Sequence, residues 1–543
     1  MKNATLLALL LLIGTSTIGL AQTERPKLVV GIIVDQMRQE YLYRFENHYG
    51  EGGFKRLMND GFEVKNGHYD YIPTYTGPGH ASVYTGTTPR THGIISNSWY
   101  SRELKGTMYC AGDSTASAIG GSESNGQISA RNLLSTTITD ELKLFTQGRS
   151  KVVGVAIKDR GASLPAGHMA DGAYWYDSNT GTFMSSDYYM DELPKWVQKF
   201  NRQDKADDYL KKTWDTVKPI ESYVESAEDN NPYEGAFKGQ RLPTLPYDLK
   251  KLREDNGNYE LISSTPFGNS LTADFALAAL EGEEMGEDAV TDFLAVSFSS
   301  TDYVGHRFGP HSKEIQDTYI RLDQDLARLF AALDEKLGQD GYIVFLSADH
   351  AVADVPNYLK DLNVPAGNFV ANKHLPEIST ALASKYGAGD WVENAWNDQI
   401  FLNLSLLEER DVNRAEMQAF LAEKLTGLEG VAQAFTGTDM INNYYSTGTQ
   451  SLLQAGYNLK RSGDVLLVYE PGWISSSYPT GTTHGSGYTY DTHVPILFYG
   501  WGIPKGSTVK KYAITDIAPT LSMLLNIKLP NGAIGEPILE IFK

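Results

Sequence analysis

Cysteine is almost missing from this chain: Cys110 is the sole one among 543 residues. No internal disulfide can form, and a thiolate-lined metal site is excluded. Basic residues are short as well, with 47 Lys and Arg against 67 Asp and Glu for a net charge of -20. That balance leaves nothing to neutralise a phosphate backbone and predicts no nucleic-acid partner. Past the amino terminus, no apolar run approaches the roughly 20 residues that cross a bilayer. The start, MKNATLLALLLLIGTSTIGLAQ, joins one Lys to a short Leu-rich stretch and to small residues at Gly19 and Ala21. This predicts an export signal over residues 1–21, cleaved near Ala21. A lipoprotein would begin with Cys after cleavage, so no membrane anchor is expected. Stability after export must then come from packing or from metal.

Hydrophobic residues make up 41% and charged residues 21% of the chain, which excludes a fibrous or wholly disordered protein. Three β-branched runs end in polar residues: KLVVGIIVD at Asp35, DFLAVSFSSTD at Asp302, and YIVFLSADH at Asp349 and His350. Unbroken runs of this kind suit strands covered on both faces. Between them Ile315, Tyr319, Leu322, Leu326, Leu329 and Leu333 recur at three- and four-residue spacing and predict a helix from Lys313 to Leu337. The alternation predicts an α/β fold: a central, mostly parallel sheet flanked by helices, with ligands beyond the carboxyl ends of the strands. Two stretches interrupt it. Residues 178–270 are rich in Tyr, Trp, Lys, Asp and Pro, and residues 354–480 hold a helical segment RAEMQAFLAEKL and a strand DVLLVY. Both read as insertions into one domain spanning residues 22–543. Core-like sequence returns in VPILFYGWG and in a final helix near ITDIAPTLSMLL.

The polar strand ends carry the chemistry. Asp35, Asp302, His306, Asp349, His350 and His484 offer carboxylate oxygen and imidazole nitrogen without thiolate, a donor set that suits zinc in an open site. Six ligands would serve two ions. Of the remaining histidines, His80 and His168 read as structural, with His311 and His493 as candidates for supporting the ligands. Thr76, in PTYTGPGHAS, is the candidate nucleophile: Gly77, Pro78 and Gly79 read as a tight turn, after which HASVYTG opens a helix. A hydroxyl there would face the helix's positive end. The competing reading is a Gly/Pro turn with Thr76 as a helix cap.

The order Asp35, T76-G-P-G-H80, D302-x-x-x-H306, D349-H350 and His484 resembles the alkaline phosphatase superfamily. KLVVGIIVDQMR, VVGVAIKDRGASLPAGH, STDYVGHRFGP and FLSADH are similar to PafA-type periplasmic alkaline phosphatases. The resemblance implies two zinc ions, one on Asp302, His306 and His484, the other on Asp35, Thr76, Asp349 and His350. It also implies that Asn97, Lys158 and Arg160 contact the transferred phosphoryl oxygens, and that the enzyme works in the periplasm. One departure stands out: Ala351 replaces the Gly that often follows the Asp-His pair, a cost if that position needs positive φ.

Charge counting separates the relatives. Two zinc ions are balanced by Asp35, Asp302, Asp349 and a Thr76 alkoxide, leaving a neutral centre beside the cations Lys158 and Arg160. A doubly charged phosphate monoester matches that pair better than a singly charged diester. The expected activity is hydrolysis of small phosphate monoesters through a phosphothreonine intermediate, with release of inorganic phosphate. The alternatives are a phosphodiesterase of the nucleotide pyrophosphatase type and a silent exported protein that binds zinc or phosphate.

Overall fold

Leu28–Val34, a run without one polar side chain, forms a strand with all seven residues buried, as a strand covered on both faces must be. The computed structural model describes residues 25–542; the expected export signal lies outside them. Following the chain and leaving aside three two-stranded ribbons, the strands are β1 (Leu28–Val34), β2 (Phe62–His68), β3 (Ala118–Ile119), β4 (Val152–Ala156), β5 (Gly172–Asp177), β6 (Thr182–Ser186), β7 (Asp292–Phe298) and β8 (Tyr342–Ser347). Next come β9 (Val392–Trp396), β10 (Gln399–Leu402), β11 (Val431–Thr436) and β12 (Val465–Tyr469), then β13 (His493–Gly500) and β14 (Gly506–Ala513).

Ten of these strands build the main sheet in the order β14-β2-β13-β8-β1-β7-β4-β5-β6-β3. The centre, β8-β1-β7-β4-β5, is parallel throughout, whereas β13 and β6 run against their neighbours. This is the mostly parallel α/β sheet that the apolar runs predict. The remaining strands form a separate antiparallel sheet, β9-β10-β12-β11. It has its own small core, in which Trp391, Ile400, Met417, Leu421 and Val465 meet.

The helices used below are α1 (Thr76–Thr85), α2 (Asp159–Ala166), α3 (Ser300–Phe308), α4 (Lys313–Leu337), α5 (Arg414–Thr426) and α6 (Ile517–Leu525). The periodic apolar face of α4 is buried along its length, and Ser312 caps its start by accepting from the Ile315 N–H. The segment before it is tied down there too: Trp214 Nε1 and the Tyr223 hydroxyl both donate to Asp317.

Two local expectations change. The run DFLAVSFSSTD is not strand to its end: β7 stops at Phe298, and Asp302 lies in the first turn of α3 with His306 one turn on. Likewise Gly77, Pro78 and Gly79 do not form a turn ahead of a helix; they are its first turn, with Tyr75 at the cap position. A helix start leaves its first N–H groups without intrahelical partners, so Pro78 loses nothing there. Gly79 is required by close approach, because a Cβ on it would stand 2.2 Å from the carbonyl oxygen of Asp349.

Candidate active site and metal centre

The candidate metal ligands and Lys158 gather at the carboxyl ends of the central strands, where ligands of such sheets bind. Asp35 follows β1, Asp349 and His350 follow β8, β7 leads into α3 with Asp302 and His306, and Lys158 stands between β4 and α2. His484 arrives on the irregular loop before β13.

Ligand atoms of Asp302, His306 and His484 lie within 4.8 Å of one another, and so do those of Asp35, Asp302 and His350. Asp302 is therefore within reach of both groups. Its Oδ1 is 3.0 Å from His306 Nε2 and 3.7 Å from His484 Nε2. Asp349 joins through Oδ2, 3.6 Å from His350 Nε2, which is also 3.5 Å from Asp35 Oδ1.

The three imidazoles share one arrangement. Nδ1 of His306, His484 and His350 meets the main-chain oxygen of Thr482, Thr74 and Ala351 at 2.7, 2.7 and 2.9 Å. A carbonyl only accepts, so each ring carries a proton on Nδ1 and turns Nε2 toward the carboxylates. This is the orientation of metal-bound histidine. His311 and His493 do not support the ligands: His311 pairs with Asp354, and His493 meets the Lys65 carbonyl. Ala351 is absent from the residues with positive φ, so the substitution for Gly carries no backbone strain.

Residue by residue, the charges ask for a cation. Asp35 Oδ1, Asp349 Oδ2 and His350 Nε2 are buried without hydrogen-bond partners. Three acceptors facing one another, with no donor among them, are costly unless a positive ion lies between them. Burial pushes the Asp35 carboxyl up to about 6. It also holds Asp349 well above the usual range, with Asp35 adding repulsion. Burial and then the neighbouring His484 keep His350 far below the ordinary imidazole value. Desolvation works against Asp302 as well, but His306 and Lys158 outweigh it and hold that carboxyl low. The donor set therefore fits divalent metal.

Lys158 lies where these carboxylates can be bridged from the other side. Its Nζ is 2.7 Å from Asp35 Oδ2 and 2.5 Å from Asp302 Oδ2, leaving both Oδ1 atoms toward the histidines. Arg160 donates from Nη1 to the Tyr109 hydroxyl at 3.1 Å, and its Nε is buried without a partner. Asn97 Oδ1 accepts the Gly77 N–H at 2.7 Å. Because that contact takes the oxygen, the amide NH2 of Asn97 is the end left to donate. Thr76 is the first residue of α1 and 1% exposed, so it heads the helix and does not cap it.

Four positions, Gln36, Asp491, Asn397 and Asp398, escaped the sequence, and His80, read there as structural, also lies beside Asp349. Gln36 has φ +64; its main-chain N–H donates to Asp349 Oδ1 at 3.1 Å, and its Nε2 to Asp302 Oδ1 at 2.5 Å. His80 is buried between the Thr76 carbonyl and Ser297 Oγ, 3.4 Å from Asp349 Oδ2. Asp491 accepts from the N–H groups of Gly485 and Ser486, fixing the loop that carries His484. Asn397 and Asp398, both at positive φ, form the two-residue turn between β9 and β10. The turn packs on the site: Asn397 Nδ2 donates to the Ser98 carbonyl, and Tyr75 and Tyr469 donate to Asp398. An Asn-Asp pair just ahead of the apolar IFL was the available signal.

Comparison with known proteins agrees with this fold. The family model described as type I phosphodiesterase / nucleotide pyrophosphatase matches residues 29–493. Alkaline phosphatase PafA of Elizabethkingia meningoseptica is 45% identical over 95% of this chain and 94% of its own. Alkaline phosphatase PhoV of Synechococcus elongatus is 44% identical over 96% and 93%. A Myroides odoratus protein named calcium-transporting ATPase is 46% identical over 99% of both chains. The crystal structure of wild-type PafA superposes with a TM-score of 0.92 at 45% identity, covering 96% of this chain and 99% of that one. The chain belongs to the type I phosphodiesterase / nucleotide pyrophosphatase family of the alkaline phosphatase superfamily, among its PafA-type members.

Proposed function

We propose that this protein is an exported, periplasmic alkaline phosphatase that hydrolyses small phosphate monoesters with two zinc ions and a phosphothreonine intermediate. The observation that carries the metal reading is the trio of buried, partnerless acceptors on Asp35, Asp349 and His350, set beside three histidines aimed by main-chain carbonyls. Its full-length relatives PafA and PhoV are named alkaline phosphatases. Asp302, His306 and His484 would hold one ion, and Asp35, Asp349, His350 and Thr76 the other. Zinc bound there supplies Lewis acidity and lowers the pKa of an oxygen it touches.

Thr76 Oγ attacks phosphorus in line with the departing oxygen; the Oγ–P bond forms, the ester P–O bond breaks, and the alcohol leaves with a proton. Water then attacks the phosphothreonine, its O–P bond forms as Oγ–P breaks, and inorganic phosphate departs. The transition state is loose, so the chain's task is positioning and charge stabilisation. The free amide NH2 of Asn97, the guanidinium of Arg160 and the ammonium of Lys158 are the donors for the phosphoryl oxygens.

The family model favours a second reading, a phosphodiesterase. A diester brings one charge fewer to Lys158 and Arg160. With the metal-loaded protein, Thr76→Ala is expected to lower kcat/KM for an aryl monoester at least a thousand-fold; retention of most activity would refute the nucleophile. Lys158→Ala with Arg160→Ala should damage the monoester far more than the matching diester, and equal losses would favour the diesterase. The ATPase name poses no conflict over bond cleavage, since phosphoanhydride hydrolysis also releases phosphate. Among the described residues, no helix is long and apolar enough to cross a membrane.

A further inference from the structure

Beside the metal centre the surface opens into a cleft of about 390 Å³, a size suited to one ring system and not to a polymer. Asn97, Thr483 and His484 line it, so the cleft is continuous with the site where phosphorus reacts. Phe369, Leu375, Ile378 and Ile400 give it apolar surface, and Trp396, at the end of β9, is half exposed above them. No Lys or Arg of the described residues lines it. The charge it does hold is negative: Asp398, in the adjoining turn, bonded to Tyr75 and Tyr469.

We propose that this cleft receives the organic group of the phosphate monoester and selects an uncharged, ring-bearing one over a small alkyl group or one carrying further phosphate. The inference rests on the monoester reading above. In-line displacement places the departing oxygen opposite Thr76, and the organic group attached to it must occupy space next to the phosphoryl site. His484 belongs to the ligand group that does not include Thr76, and it is this histidine that the cleft adjoins. A ring laid on Trp396 covers apolar surface that otherwise faces water. A second phosphate would meet Asp398 with no Lys or Arg to answer it, the one cleft imidazole beyond His484, His374, being stacked on Phe369. The contributing walls come from the second sheet and its flanking segments, so selection is built on a part of the chain distinct from the strands that hold metal.

The test uses the full, metal-loaded chain and three esters: 2-phenylethyl phosphate, ethyl phosphate and 1,2-ethanediol bisphosphate. The first two release alcohols of similar acidity, so their intrinsic reactivity is close. The kcat/KM ratio of phenylethyl to ethyl ester is expected to exceed one by several-fold and to fall about five-fold in Trp396→Ala, the scale of one aromatic contact. Trp396→Phe should restore most of the ratio. The bisphosphate is expected to react more slowly than the ethyl ester. A phenylethyl to ethyl ratio near one, or one unchanged in a folded Trp396→Ala, overturns the cleft proposal alone. Release of phosphate from none of the three overturns the monoester reading and the cleft proposal with it.

Discussion

Gln36 touches both halves of the centre with two different parts of itself, main-chain N–H to Asp349 and side-chain amide to Asp302. Its left-handed backbone costs a non-glycine residue on the order of 1 kcal/mol, and the two bonds give that strain a use. A Cβ on Gly305 would stand 1.9 Å from Gln36 Oε1, so the glycine between Asp302 and His306 keeps that space clear. Gln36→Ala is expected to weaken metal binding 10- to 100-fold, the usual cost of losing a partner behind a ligand, read by titration against a competing chelator with circular dichroism unchanged. None of this was legible beforehand, because a glutamine after a strand-end aspartate has no spacing signature. His92 offers a pH prediction away from the metal. Burial, then Arg461, lowers its pKa from 6.5 to about 3, and both ring nitrogens are engaged, by Ser82 Oγ and the Ile94 N–H. The unfolded chain takes the proton first, so this group's stabilising effect is complete above about pH 6.5 and is lost as pH falls toward 3. Denaturant unfolding should show a slope with pH up to about 1.4 kcal/mol per unit shallower in His92→Gln than in the parent; identical slopes would refute the assignment.

Among the elements, the β9–β10 hairpin is the one whose tip reaches the site. Its turn residues sit at φ 50 and 60, the geometry of a type I′ turn, for which Asn-Gly is a favoured pair. Asp398→Gly therefore keeps the turn while deleting the acceptor of Tyr75 and Tyr469. The expected result is a roughly ten-fold loss of kcat/KM, since small displacements at positioned groups are expensive, with secondary structure and metal content retained. Unchanged kinetics would show that the hairpin has no hold on Thr76. Helix α3 shows what could be read in advance and what could not. The four-residue spacing of Asp302 and His306 was visible, but it was read onto a strand end, because periodicity cannot mark a strand-to-helix junction inside continuous apolar sequence. Strands β1 and β8 had no such ambiguity, and their terminal residues Asp35, Asp349 and His350 came out where the runs put them. The position of Lys158 against two carboxylates was beyond reach, since it depends on the order of strands in the sheet.

For the molecule as a whole, the proposed metal would be a folding partner as well as a reagent. Each site held at free metal about a thousand-fold above its Kd adds roughly 4 kcal/mol, which in a chain of this length amounts to a few degrees of Tm. Chelation should lower Tm by that order, and returning zinc should restore it together with phosphate release; a Tm indifferent to chelation would mean that the buried carboxylates are balanced some other way. The division between the main sheet, which supplies the candidate ligand residues, and the second sheet, which walls the cleft, lies within the change of texture after residue 354, although the antiparallel pairing of the second sheet was not legible. One consequence of the carbonyl partners of His306, His350 and His484 remains. Their aim is inherited from main chain, which every residue possesses and no substitution deletes, so the cleft's apolar side chains can be exchanged to suit new esters while the three imidazoles keep pointing the same way.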